Sequence, residues 1–137
     1  MKSLSTLIVT ILILSGCSGT SQPTADETTA SLTWLALLDG GDYAATWQSS
    51  APLFQAAVTK EDWAQKAAAV REPLGTLVSR EPDGADRLTT VPGGPDGEYV
   101  VIQYESAFSN KASAVETHTI YRASPDQTWR NAGYFIR

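Results

Sequence analysis

Glu98-Tyr99-Val100-Val101-Ile102-Gln103-Tyr104-Glu105-Ser106-Ala107-Phe108 is dense in aromatic and β-branched side chains and holds neither glycine nor proline. Such a run predicts the strongest strand of the chain. Ser109-Asn110-Lys111-Ala112 supplies turn residues, so Ser113 to Ala123 is expected to run back beside it through a four-residue connection. Ser124-Pro125-Asp126-Gln127 turns again, and Thr128 to Arg137 forms a last strand. On the N-terminal side lies a loop, Pro92-Gly93-Gly94-Pro95-Asp96-Gly97. Before it, Thr76–Arg80 and Arg87–Val91 are β-like pieces separated by an expected turn at Pro82-Asp83-Gly84. The second half of the chain therefore reads as a meander of about four strands.

The first half has helical texture. Ala30, Trp34, Leu37 and Leu38 share one helical stripe, which Gly40-Gly41 ends. Either Thr28 or Thr29 caps this helix, or Asp26 and Glu27 occupy its first turn. Asp42 is placed to cap a short helix carrying Tyr43 and Trp47, and Pro52 suits the first turn of a piece carrying Phe54 and Val58. Thr59-Lys60-Glu61-Asp62 resembles a helix start. Trp63, Ala67, Val70 and Leu74 form the stripe that follows, and Pro73-Leu74-Gly75 closes it. Helices followed by strands predict an α+β fold: two or three N-terminal helices on one face of a curved antiparallel sheet.

Strand alternation assigns the two faces of that sheet. Val100, Ile102, Tyr104, Phe108, Val115, Tyr121, Tyr134 and Ile136 form the face expected to meet the helices. Tyr99, Val101, Gln103, Glu105, Glu116, His118, Ile120, Arg122, Trp129, Asn131 and Phe135 fall opposite. In this register Glu105 faces Glu116 and Gln103 faces His118, and like charges across a ladder point to water or to a partner's basic group. Trp129, Phe135, Ile120, Glu105, Glu116 and His118 are accordingly the candidate interface. They form an apolar patch edged by charge, suited to a homodimer or an envelope protein partner. The alternative is that the sheet curls, or a loop covers the patch within one chain.

The N-terminus carries an address. Lys2 precedes the apolar run Leu7–Leu14, eight residues where a transmembrane helix needs about 20, which suits a signal-peptide core. Leu14-Ser15-Gly16-Cys17 resembles the bacterial lipobox, whose cysteine is joined to diacylglycerol and becomes the first mature residue. Cys17 is the sole cysteine, and lipidation leaves no unpaired thiol in an oxidising compartment. The alternative is an ordinary signal peptide cut near Gly16. Because one acyl chain binds a membrane only marginally, two or three are expected. Ser18 stands where many inner-membrane lipoproteins have Asp, so by resemblance to those sorting rules the outer membrane, periplasmic side, is favoured over the inner. The expected organisation is a lipoprotein signal peptide at 1–16, a lipidated Cys17 and flexible tether over 17–29, and one globular domain at 30–137.

Composition narrows the remainder. Loss of residues 1–16 removes Lys2 and takes the formal net charge from −5 to −6. An isoelectric point near 4.7 disfavours nucleic acid and anionic lipid headgroups as partners through long-range fields. Four Trp, five Tyr and three Phe supply a core without a disulfide. His118 is the sole histidine, so no multi-histidine metal site and no cofactor is expected. Asp83 and Asp86 lack the ligand spacing of a calcium loop. Asp39 and Asp42 read either as a carboxylate couple or, the better-supported reading, as a helix end followed by a cap. No serine sits in a nucleophile elbow, and Gly93–Gly97 lacks the Lys of a phosphate loop. No catalytic residue is expected.

From Trp34 onward the motifs resemble a bacterial family called domain of unknown function 4019. The similarity runs through Trp34–Tyr43, Val70–Gly75, Gly97–Tyr104, Asn110-Lys111 with Ala114 and Glu116-Thr117, Trp129-Arg130 and Gly133–Arg137, covering about residues 30–137. His118 and Asn131 stand where that family's pattern implies apolar residues. The resemblance implies a layout similar to the nuclear transport factor 2-like cone and transfers no catalytic residue. Two functions follow as expectations. The favoured one is a non-enzymatic envelope lipoprotein that binds a partner or ligand near the membrane to which Cys17 ties it. The alternative is a small-molecule enzyme using a pocket between helices and sheet.

Overall fold

The computed structural model describes residues 21–137. The expected signal peptide and Cys17 lie outside the described residues. Helices α1 (Ala25–Asp39), α2 (Tyr43–Gln48), α3 (Pro52–Ala57) and α4 (Lys60–Arg71) come first, the last running into a 3-10 turn at Glu72–Leu74. Strands β1 (Leu77–Leu88), β2 (Glu98–Phe108), β3 (Lys111–Arg122) and β4 (Arg130–Ile136) follow. They form one open, curved antiparallel sheet in the order β1-β2-β3-β4, so the α+β reading holds.

The caps explain the helix boundaries. Thr24 and Glu27 form a capping box: the Glu27 amide donates to Thr24 Oγ1, and the Thr24 amide donates to Glu27 Oε2 at 2.7 Å. Asp26 and Glu27 thus fill the first turn of α1, while Thr28 and Thr29 lie inside it. This helix starts well inside the expected tether, and Ser21 is already bridged to Ala85 on β1. Asp42 caps α2, Pro52 opens α3 and Thr59 caps α4, as their chemistry predicts. At Gly75 φ is +76°, and a side chain there would strike Ser109 Oγ, so glycine is required where the helical half passes into the sheet.

Three expectations fail in the sheet, each through an irregularity. Pro82-Asp83-Gly84 is not a turn between two strands; it is a bulge inside the continuous β1, between the pairs Pro82–Tyr104 and Ala85–Ile102. The β2–β3 hairpin turns on Ser109-Asn110 alone, with Phe108 opposite Lys111 and a bulge between Ser106 and Phe108. The register therefore shifts by one residue. Tyr104 opposes Glu116 and Ile102 opposes His118, while Glu105 opposes Val115. Since side chains alternate with period two, the shift turns the β3 set Glu116, His118 and Ile120 inward. All three are fully buried, which removes them from the expected outer face. A further bulge between Thr119 and Ile120 brings Asn131 inward as well.

The main core joins Trp34, Leu35, Leu38, Phe54, Trp63 and Ala67 of the helices to Val100, Ile102, Tyr104 and Ile120 of the sheet. A smaller cluster of Ala51, Tyr99 and Tyr121 is closed by Leu53, Val91 and Ala132. The Tyr99 hydroxyl there donates to Pro95 O at 2.5 Å, so the loop after β1 covers this end of the outer face. Two helical stripes are also rotated from expectation. In α1 the buried residues are Glu27, Ser31, Trp34, Leu35 and Leu38, and in α4 they are Trp63, Ala67 and Arg71, with Val70 exposed.

Candidate functional site

Polar side chains placed in the interior by the β3 register and by α4 form two connected networks. The first is charged. Glu116 accepts four hydrogen bonds: from Arg80 Nε at 2.7 Å and Ser106 Oγ at 2.5 Å on Oε1, and from Arg80 Nη2 at 3.0 Å and the Tyr134 hydroxyl at 2.6 Å on Oε2. Arg80 also reaches Asp39 at 2.8 and 2.9 Å, and Arg71 meets the same carboxylate at 2.5 Å. Arg71 also donates to the Tyr134 hydroxyl at 3.3 Å and lies 4.8 Å over the Phe108 ring. Two guanidiniums balance two carboxylates, so the cluster is neutral as a whole. Asp39 ends α1, where the helix dipole disfavours a negative charge, and the two arginines offset that.

The energetics follow from burial. Desolvation alone would push the Glu116 carboxyl up; the Arg80 fork, with Ser106 and Tyr134, outweighs it and holds Glu116 below the usual carboxylate range. Asp39 is lowered in the same way, burial being outweighed by Arg80 and then Arg71. Burial, with Glu116 next to it, pushes the Tyr134 phenol far up. Both acceptor atoms of Glu116 are filled, and the Tyr134 hydroxyl donates its proton to Oε2 while its oxygen accepts from Arg71 Nη1.

The second network is neutral and runs one way. Tyr104 donates to Ser31 Oγ at 2.8 Å, and Ser31 donates to His118 Nδ1 at 2.7 Å. His118 Nε2–H donates to Asn131 Oδ1 at 3.1 Å. Asn131 Nδ2 donates to Ser50 Oγ at 2.9 Å, and Ser50 ends the chain on the Thr46 carbonyl at 2.7 Å. Each acceptor in the series fixes the next donor, which assigns the Nε2–H tautomer. Burial lowers His118 to about 3, so the ring is neutral at physiological pH. Trp34 stacks on it with ring centres 4.7 Å apart, and Trp34 and Trp63 both donate their indole N–H groups to Thr46.

Beside the charged network, between α4 and the edge strand β4, lies an open cleft of about 250 Å³. Leu38, Trp63, Ala67, Val70, Phe135 and Ile136 form its apolar wall, while Lys66, Arg71 and Tyr134 supply its polar groups. Arg71 Nε is buried and without a hydrogen-bond partner, the single such side-chain atom among the described residues. No carboxylate lines this cleft. Among the described residues no three His, Cys, Asp or Glu side chains come together in a metal-binding arrangement.

The geometry meets a family assignment at this point: the model of a protein family of unknown function, DUF4019, matches residues 30–134. The chain belongs to the DUF4019 family. The matched span contains every member of both networks and most of the cleft, so the arrangement described here belongs to the DUF4019 part of the chain. No curated protein and no solved structure matches it.

The sequence-derived interface residues are dispersed. Glu116 and His118 belong to the interior networks and Ile120 to the core. Trp129 packs partly against that core, with the Arg122 guanidinium 4.2 Å above its ring. Glu105 remains outside, opposite Glu81 of β1, and Phe135 is 60% exposed at the rim of the cleft. Of the apolar residues meant to form an outer patch, Ile120 and Trp129 are therefore lost. Asp42 is a cap, whereas Asp39 is no mere helix end: it joins both arginines. Arg71 and Arg80 escaped sequence reasoning. Their one signal was spacing, Arg71 standing four residues after Ala67 and eight after Trp63, but Val70 fits the same stripe and is apolar.

Proposed function

We propose that this chain is a cell-envelope lipoprotein, held to the periplasmic side of the outer membrane through acylated Cys17, whose domain binds and does no chemistry. The observation that carries the non-enzymatic part is the saturation of the buried Glu116 carboxylate and His118 ring. A general acid or base must reach a substrate proton and titrate near the working pH. Glu116 has both oxygens filled, His118 has both ring nitrogens engaged and is neutral far below its ordinary range, and no acid lines the cleft. Buried networks of this kind rigidify a scaffold and select one packing. The helices-then-meander order also fits a nuclear transport factor 2-like cone. The lipobox at Leu14–Cys17 supports the anchor, and among the described residues no helix is long and apolar enough to cross a membrane.

The anchor and the activity are tested separately. Cys17→Ser is expected to leave an unprocessed precursor without acyl label; a variant processed and fractionated like wild type would refute lipidation. For the domain, a photo-reactive residue placed in turn at exposed positions, Val78 and Val70 among them, should trap a discrete partner in intact cells. Turnover of a substrate by the purified chain, abolished on replacing Glu116 or His118 with retention of the fold, would overturn the binding reading.

A further inference from the structure

The two edges of the sheet are treated differently. At β1, Ser21 occupies the edge at Ala85: the Ala85 amide donates to Ser21 O at 2.7 Å, and Ser21 Oγ donates to Ala85 O at 2.9 Å. At β4, the start of the strand is also occupied, because the Ala51 amide donates to Asn131 O at 2.8 Å. Beyond that point the edge is open. Val115 and Arg137 exchange both backbone hydrogen bonds, at 2.9 and 3.1 Å, and the register is regular from Glu116–Ile136 to Thr119–Gly133. Antiparallel alternation then makes Thr117–Phe135 the next exchanging pair and turns the amides and carbonyls of Tyr134 and Ile136 away from β3. Among the described residues nothing bonds them.

Those free groups border the cleft beneath α4. An exposed edge is a template for another strand, and proteins without use for one usually blunt it. Here the edge is flanked by a preformed apolar trough with Trp63, Ala67 and Ile136 in its walls. Lys66 gives the trough a positive end, and no acid lines it; the Arg71 charge is already balanced by Asp39, although its Nε lacks a hydrogen-bond partner. At about 250 Å³ the trough lies just below the range of about 300–1,000 Å³ usual for ligand pockets, and it suits an alternate side chain of a strand lying along β4.

From this juxtaposition we propose that β4 and α4 form a peptide-binding groove that takes an extended segment of a partner protein as a fifth strand. The segment pairs with the backbone of Tyr134 and Ile136, sends alternate apolar side chains into the cleft, and sets a carboxylate against Lys66. Main-chain pairing supplies affinity and the trough supplies selectivity. This rests on the reading of the domain as a binding module and names its partner by chemistry.

The test uses the full chain and a display library of random decapeptides. Enriched peptides should alternate apolar residues and carry an acidic one, and Lys66→Glu should shift that preference to basic residues. Ile136→Pro deletes an amide that faces away from β3, so it spares the ladder and should weaken the enriched peptides about tenfold; Ile136→Val should bind like wild type. Should Ile136→Pro fail to fold, amide exchange on the wild type decides: peptide must slow exchange at Tyr134 and Ile136. Absence of enriched peptides overturns the proposal, as does binding that leaves both amides fast. Saturable binding of octanoate without any peptide enrichment overturns it in favour of a small-ligand cleft. A partner trapped in cells from Val78 but never from Val70, with no peptide enriched, leaves the binding module standing and removes only the groove.

Discussion

Acidification from pH 7 to pH 5 should destabilise this domain through a single side chain. His118 is fully buried, and its folded-state value is about 3 against an ordinary 6.5, with burial as the principal cause. Between those two values the unfolded chain binds a proton that the folded chain excludes, so stability is complete above pH 6.5 and drains as pH falls towards 3. The slope approaches 1.4 kcal/mol per pH unit at its steepest, and integration from pH 7 to pH 5 gives a loss of about 2 kcal/mol. The window isolates the histidine, which is the only one in the chain. The lowered carboxylates Glu27, Asp39 and Glu116 have the same sign, stabilising above their unfolded values of 4.5, 3.8 and 4.5, and their contribution fades only below them. Urea unfolding at pH 7, 6 and 5 measures the loss, with an unchanged dependence on denaturant. His118→Gln should flatten the profile across this window. In the folded protein, the imidazole resonances should hold their positions to pH 5. An imidazole that titrates near 6.5 while the protein stays folded, or a stability constant between pH 7 and pH 5, would refute the buried-chain assignment.

Arg80→Ala should cost about 3–5 kcal/mol in urea unfolding, because it strands the buried Glu116 carboxylate; adding Glu116→Leu should recover part of that loss, and a single-variant cost under about 0.5 kcal/mol would place the pair in water. Trp63→Ala should cost about 3–5 kcal/mol, the ring being buried against Phe54 and Trp34 with its N–H on Thr46; a negligible change would contradict the packing of α4. Thr24→Ala should cost about 1 kcal/mol through loss of the capping box, and a neutral result would mean that α1 begins elsewhere.

The boundaries of the fold were legible because they depend on local chemistry. Asp42, Pro52 and Thr59 mark helix starts that side-chain capping and proline geometry enforce without help from the rest of the chain. The aromatic and β-branched content of residues 98–108 likewise needs no tertiary knowledge to read as a strand. Bulges are different. Nothing in Pro82-Asp83-Gly84 distinguishes a turn from an irregularity inside one strand, since both suit residues that leave the ladder. The hairpin was harder still: Ser109-Asn110 and Ser109–Ala112 are equally turn-like and differ by two residues in register, of which the bulge between Ser106 and Phe108 takes one back and leaves a net shift of one.

That single residue controlled the functional reading. With Glu105 opposite Glu116 the carboxylates repelled each other across the ladder and had to face out, and an interface followed. With Tyr104 opposite Glu116 the carboxylate faces inward, where Arg80 reaches it from β1 and Tyr134 from β4. Amphipathic patterning had no means of finding this, because it assigns charged residues to water and the site consists of buried charges that neutralise one another. His118 and Asn131 show the same logic at lower charge. Each is anomalous alone at a position expected to be apolar, and together they complete a hydrogen-bond chain that leaves neither unsatisfied. A polar residue that breaks a pattern singly suits the surface, whereas complementary pairs of them are what an interior network requires. The cleft beside β4 lies one step further from the sequence, since it depends on which backbone groups the shifted register leaves without a neighbour.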